Sequence, residues 1–103
     1  YRVIHNVGLG VKVKELTVEP GKSLSMQRHA KRSEFWFVAE GQGLINRALA
    51  NGYALPSLEL NEHDQLVIPV GEWHQLVNPH DAPLKVVEIQ YGEDCIEEDI
   101  ERK

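Results

Sequence analysis

The sequence predicts an all-β domain, a sandwich or a barrel. Turn signals recur about every 8–12 residues. The segments between them are short and strand-like, with stretches that alternate in polarity. The only stretch suited to a helix is the acidic tail after Glu93.

The first clear strand is Val11-Lys12-Val13-Lys14-Glu15-Leu16-Thr17-Val18, which stops at the turn Glu19-Pro20-Gly21-Lys22. Residues Ser23 to Arg28 alternate and read as the next strand, and Ala30 to Ser33 is a polar turn. Glu34-Phe35-Trp36-Phe37-Val38 returns, and Glu40-Gly41-Gln42-Gly43 is a tight hairpin into Leu44 to Arg47. A looser loop from Ala48 to Pro56 leads to Ser57–Leu60, then to a turn at Asn61-Glu62-His63-Asp64. Gln65 to Pro69 reads as a buried strand, Trp73 to Val77 as another, and Leu84 to Gln90 as the last, after the loop Asn78 to Pro83. No linker, repeat or low-complexity segment divides the 103 residues, so they form one domain with a modest core.

Hydrophobic residues make up 42%, as in an ordinary globular protein. No apolar run approaches the roughly 20 residues a membrane helix needs, and no signal-like segment precedes the first strand. Tyr1 is an unusual natural start, which points to further residues upstream. The net charge of −5 argues against nucleic acid, whose binding rests on Lys and Arg neutralising phosphates. Six carboxylates crowd Glu93 to Glu101, whereas Arg28, Lys31 and Arg32 gather elsewhere as a basic rim suited to a small anion. Cys95 is the single cysteine, so no internal disulfide forms and a cytoplasmic setting is expected. Its acidic neighbours make it an unreactive thiol.

Gln27, His29, Glu34 and His74 are the expected metal ligands. Side chains two apart on a strand share a face, so Gln27 and His29 project together. Glu34 opens the return strand opposite them, and the tight turn Pro69-Val70-Gly71-Glu72 brings back His74. Two imidazoles, a carboxylate and an amide oxygen suit one divalent ion: zinc first, with manganese, nickel, iron or cobalt as alternatives. His5, His63 and His80 read as surface residues, and the turn glycines Gly21, Gly41 and Gly71 serve the backbone.

These residues carry a resemblance. Gly21-(5 residues)-Gln27-Arg28-His29-(4 residues)-Glu34-(6 residues)-Gly41 resembles the first cupin motif, with Gln27 where most cupins have histidine. Pro69-Val70-Gly71-Glu72-Trp73-His74-(3 residues)-Asn78 resembles the second. More narrowly, Pro20-Gly21-Lys22-Ser23-Leu24-Ser25-Met26-Gln27, Pro83 to Gly92 and Glu98-Asp99-Ile100-Glu101-Arg102 are similar to the cupin domain of type II mannose-6-phosphate isomerases, often fused behind a mannose-1-phosphate guanylyltransferase. The resemblance implies a double-stranded β-helix (a jelly-roll barrel) and metal-dependent interconversion of mannose 6-phosphate and fructose 6-phosphate. Two departures stand out: the family's histidine cluster is reduced to His29-Ala30-Lys31, and Phe35 replaces histidine in the Glu-His-Trp run. No nucleotidyltransferase domain fits this length.

Aldose–ketose isomerisation needs a base for the carbon-bound proton. A metal-bound Glu34 is ill-suited, which leaves Lys12, Lys14, Lys31 and His63. A sugar phosphate also needs cationic donors: Arg102, which matches the family's closing arginine, then Arg47 and Arg32. Trp36 shares the face of Glu34 and is a core or pocket-wall residue. The rival readings are a non-catalytic metal-containing cupin that binds a sugar or sugar phosphate, and an iron oxygenase, which Gln27 disfavours. A homodimer is expected, partly from the resemblance, with Val11 to Val18 and Leu24/Met26 supplying apolar surface opposite the ligands.

Overall fold

The structure, a computed structural model, describes residues 2–6, 11–29, 32–92 and 100–102. Among these residues ten strands form in chain order: β1 (Arg2–Asn6), β2 (Val11–Val18), β3 (Gln27–His29), β4 (Arg32–Glu40), β5 (Gly43–Ala48), β6 (Ala54–Leu60), β7 (Gln65–Ile68), β8 (Trp73–Val77), β9 (Leu84–Gly92) and β10 (Ile100–Arg102). They make two five-stranded sheets, ordered β1-β2-β9-β4-β7 and β10-β3-β8-β5-β6, with every pairing antiparallel. Among the described residues there is no helix, and none long and apolar enough to cross a membrane.

Alternation decides which side chains enter the interior. On β4, Arg32, Glu34, Trp36 and Val38 are buried while Ser33, Phe35 and Phe37 lie on the outer face. On β9 the inward set is Leu84, Val86, Glu88 and Gln90. Register lines these up as rows across the first sheet. Leu16, Val86 and Val38 form one; Lys14, Glu88 and Trp36 the next; Lys12, Gln90 and Glu34 the next. The interior is therefore graded. One end holds the apolar core of Leu16, Val18, Val38, Ile45, Leu60, Leu76, Leu84 and Val86, with Trp36 at its border and Ile68, opposite Glu34 on β7, extending it. The other end holds Lys14, His29, Arg32, Glu34, His74, Glu88 and Gln90, all buried.

Loops are tied to this frame. Asn78, fully buried, donates through Nδ2 to the carbonyls of Val18 (2.9 Å) and Ala82 (2.8 Å) and accepts from His80 N (3.0 Å). The closing Asn of the second motif is thus a staple between the end of β2 and the β8–β9 loop. Arg28 lies over the Trp73 ring at 4.9 Å and donates to Ala50 O at 3.1 Å, anchoring the loop after β5.

Several expectations are corrected. Of Ser23 to Arg28 only the end joins a strand, since β3 is Gln27–His29 and Ser23 makes a lone bridge to Val77. β4 begins at Arg32, so Arg32 and Ser33 are strand and not part of the expected turn, whose Ala30 and Lys31 lie outside the described residues. β6 begins at Ala54, taking in part of the expected Ala48–Pro56 loop; Pro56 is tolerated because β6 is an edge strand. The end of the acidic tail is strand, not helix, at Ile100–Arg102, and Cys95 with the rest of that tail lies outside the described residues. Leu24 packs against the core rather than facing out, and Leu16 and Val18 point inward. The outward row Val13, Ile89, Phe35 and Val67 is the apolar surface that β2 does share.

Gly41 is the turn residue with least freedom. Its φ is +86°, and a Cβ there would run into the carbonyl oxygen of Pro83. Gly52 has a similar φ of +89° but open space around it. Gly52→Ala should therefore cost only the left-handed penalty, about 1–2 kcal/mol, and Gly41→Ala clearly more, because backbone must move. Urea denaturation of the two variants checks this; equal losses would contradict the close approach.

Candidate metal centre

Three strands from both sheets converge at the polar end. β3 ends at His29, β4 contributes Glu34 and β8 contributes His74. The turn before β8 is pinned to β3 by Gly71 N donating to His29 O at 2.8 Å, with Gly71 at φ +81°. One ligand atom from each of the three residues lies within 4.8 Å of the others, and all three are buried. His29 Nε2 is 2.8 Å from Glu34 Oε2, and His74 Nε2 is 3.4 Å from Glu34 Oε1.

Tautomer and charge suit metal binding. His74 Nδ1 lies 3.1 Å from Glu72 O and donates to it, which turns a lone pair on Nε2 toward Glu34. Burial pushes the His74 pKa down, against the pull of Glu34, and so favours the neutral ring a metal requires. Burial alone would raise Glu34. The hydrogen bond with His29 and the charges of His74 and His29 outweigh it and hold the carboxyl down at about 2. Two imidazole nitrogens and an ionised carboxylate are a donor set for a borderline divalent ion. Gln27 stands opposite His74 in the β3–β8 register and lines the same cavity, its Nε2 donating to Ser25 Oγ at 2.8 Å.

The cavity has a volume of about 180 Å³. Beside Glu34 on the first sheet, Lys14, Trp36, Glu88 and Gln90 line the same cavity. Trp36 Nε1 donates to Glu34 Oε1 (3.0 Å) and to Glu88 Oε2 (3.1 Å), bridging the two carboxyls. Gln90 Nε2 in turn donates to Glu88 Oε1. Lys14 is the cross-strand partner of Glu88. Burial, then the charge of Glu34, push Glu88 up to about 8. Arg32 lies beside the triad, with Nη2 3.4 Å from His29 Nε2 and Nε 3.9 Å from Glu34 Oε2.

Of the residues expected for catalysis, Lys14 is brought to the cavity. Lys12 stands across from Gln90 in register but is outside the cavity lining, and Lys31 lies outside the described residues. His63 stacks on Phe37 at 5.7 Å on the outer face, away from the cavity. Among the phosphate candidates, Arg32 is 1% exposed, inside the site rather than on a solvated rim. Arg47 is engaged elsewhere, with Glu72 at 3.8 Å and Pro56 O at 3.2 Å. The backbone of Arg102 pairs opposite Gln27. Trp36 lines the cavity, and its N–H is committed to the two carboxyls. Glu88 and Gln90 were missed. The available signal was parity, since they continue the inward face of Leu84 and Val86 along one strand.

Comparison with known proteins agrees with this geometry. The family model described as mannose-6-phosphate isomerase C-terminal matches residues 1–103. The xanthan biosynthesis protein XanB of Xanthomonas campestris is 37% identical over 97 residues, 94% of this chain and 20% of the relative. A mannose-1-phosphate guanylyltransferase of Klebsiella pneumoniae is 40% identical over 90 residues, 87% of this chain and 18% of the relative. The chain thus spans about a fifth of the length of these relatives. A Klebsiella pneumoniae protein with a double-stranded β-helix domain superposes with a TM-score of 0.75 at 18% identity, over 97% of this chain and 79% of that one. Lactobacillus farciminis oxalate decarboxylase gives 0.73 at 20% identity, over 82% and 25%. The fold is therefore the cupin double-stranded β-helix.

Two outcomes are expected. Purified protein should carry close to one equivalent of a divalent ion by elemental analysis, and His74→Ala should lose most of it; equal content in both would remove His74 from the ligand set. In metal-free protein, between pH 4.5 and about 8 the folded state holds a proton on Glu88 that the unfolded state has lost, so Glu88 makes stability fall as pH rises. Glu34 acts only below that window, and His74 acts alike with or without Glu88. Glu88→Gln should therefore gain stability at pH 8 relative to pH 5 in urea denaturation. An unchanged difference would mean that Glu88 is not held protonated.

Proposed function

The chain belongs to the mannose-6-phosphate isomerase C-terminal family, and on that premise we propose that it interconverts mannose 6-phosphate and fructose 6-phosphate. The observation that carries the reading is that the buried His29–Glu34–His74 triad shares one cavity with Glu88, a titratable carboxyl outside the triad. In this reading His29, Glu34, His74 and Gln27 hold the divalent ion, zinc by preference. When bound, such an ion polarises adjacent carbonyl and hydroxyl oxygens and stabilises negative charge that develops on them.

The chain's own groups do the rest. The carbon-bound proton leaves C2 of the aldose and is returned at C1, while a hydroxyl proton passes to the carbonyl oxygen. Glu88, in its ionised form, is the acceptor for the carbon-bound proton: it lies in the cavity, outside the triad, is oriented by Trp36 and Gln90, and the charge of Lys14 draws it back toward ionisation against burial and the charge of Glu34. Lys14, its cross-strand partner, balances the charge that Glu88 gains and loses. Arg32 adds fixed positive charge beside the triad and favours an anionic ligand. Arg102 is proposed for the phosphate, in line with its register position opposite Gln27. Phe35, which departs from the family's run, is on the outer face of β4 and leaves the cavity untouched.

A coupled isomerase assay on metal-loaded protein tests this. Turnover is expected, and Glu88→Gln should lower kcat by about 100-fold or more while metal content is kept. Arg102→Ala should raise KM for the phosphorylated sugar more than for the free sugar. Binding of mannose 6-phosphate by calorimetry without any turnover would replace the isomerase reading by a sugar-binding module. Neither binding nor turnover would remove the substrate and leave the metal site to its own test.

A further inference from the structure

An amide binds a cation through Oε1 alone, because Nε2 carries two protons and has no lone pair to give. A glutamine at a metal site is therefore best held by an acceptor on its Nε2, as a histidine ligand is oriented through its other ring nitrogen. His74 has such a partner in Glu72 O. For Gln27 the partner is Ser25. Gln27 Nε2 donates to Ser25 Oγ at 2.8 Å, and both residues line the cavity that holds the triad. Gln27 is half-buried and Ser25 exposed, so the pair stands at the mouth of that cavity.

The serine is itself fixed in place from both sides. Before it, Leu24 N donates to Leu76 O at 2.9 Å, and Leu24 O accepts from Gln75 Nε2 at 3.1 Å. After it, Gln27 pairs with His74 in the β3–β8 register. Both anchors lie on β8, the strand that carries His74, so the hydroxyl and the ligands are referred to one frame.

We propose that Ser25 is a positioning residue for the metal: its Oγ accepts from Gln27 Nε2 and so keeps Gln27 Oε1 for the ion. This rests on the reading of Gln27 as a ligand. A serine hydroxyl can also donate, so without an ion either end of the amide satisfies it. An ion removes that freedom, because it takes only the oxygen. It also polarises the amide and makes Nε2 the stronger donor. Coordination and hydrogen bond then support each other, and the serine's contribution is read as metal affinity. Water at the mouth can replace the hydroxyl in part, which sets the effect at the lower end of the range for such outer partners, about ten-fold.

Titration of metal-free protein with zinc, in competition with a chromophoric chelator, tests this in wild type, Ser25→Ala, Gln27→Ala and the double variant. Ser25→Ala should bind zinc about ten-fold more weakly. Gln27→Ala should lose at least as much, and the double variant no more than Gln27→Ala, since the serine acts only through the amide. An unchanged melting temperature of metal-free Ser25→Ala shows that the fold is intact. Unchanged zinc affinity in Ser25→Ala would overturn the proposal and leave Gln27 a ligand. So would a full further loss when Ser25→Ala is added to Gln27→Ala. Unchanged affinity in Gln27→Ala would overturn the ligand assignment and the proposal together. If Gln27→Ala binds too weakly to measure, the comparison of Ser25→Ala with wild type decides alone.

Discussion

An ionised carboxylate inside a protein has to be surrounded by donors, and Glu34 is where this fold meets that demand. It is 1% exposed. Leaving such a charge uncompensated would cost several kcal/mol. His29 faces one of its oxygens from the opposite sheet, Trp36 donates to the other along its own strand, Arg32 stands near it as a fixed cation, and His74 turns Nε2 toward it as a further ligand atom. Each neighbour needs its own strand in a particular register. The requirement of one carboxylate thereby fixes how β3, β4 and β8 meet, and the same geometry makes the site fit for a divalent ion.

The second consequence is the graded interior. A sheet of this length could bury apolar side chains along its whole inner face. Here β2, β4 and β9 are apolar inward at one end only, with Leu16, Val18, Val38, Leu84 and Val86. At the other end the same inward parity carries Lys14, Glu34, Glu88 and Gln90. The apolar end contributes the hydrophobic stabilisation, about 1.5–3 kcal/mol for each large aliphatic side chain buried. The polar end adds little of that, and its value lies in chemistry. Trp36 sits at the border, with its ring against the core and its N–H between two carboxyls. It is the one side chain of the row that serves both ends.

Two elements show how the fold separates support from chemistry within motifs that read as one. In the segment from Pro69 to Asn78, His74 enters the site, Gly71 ties the turn to His29, and Asn78 staples the far end of β2. In the segment from Gln27 to Gly41, His29 and Glu34 enter the site while Phe35 stays on the outer face. A substitution at Phe35 therefore acts on the outer surface, and one at Arg32, a few residues earlier, acts inside the triad.

Local pattern was enough for the all-β class, most strand positions and the pairing of His29 with Glu34, all of which rest on alternation, turn residues and short spacings that operate within a few residues. His74, forty residues on, was joined to them through the spacing of a second motif. The rest of the cavity lining needed the folded chain. Lys14, Glu88 and Gln90 become neighbours of Glu34 only through the β2–β9 and β9–β4 registers, which join positions more than fifty residues apart. Alternation along β9 shows that Leu84, Val86, Glu88 and Gln90 share a face, yet it does not say that this face looks inward at its polar end. Arg32 illustrates the same limit: an arginine beside Lys31 and Arg28 resembles a solvated rim, and only the start of β4 at Arg32 sets it inside. Which polar residues a barrel encloses is decided by strand order and register, because only tertiary pairing supplies the donors that make their burial tolerable.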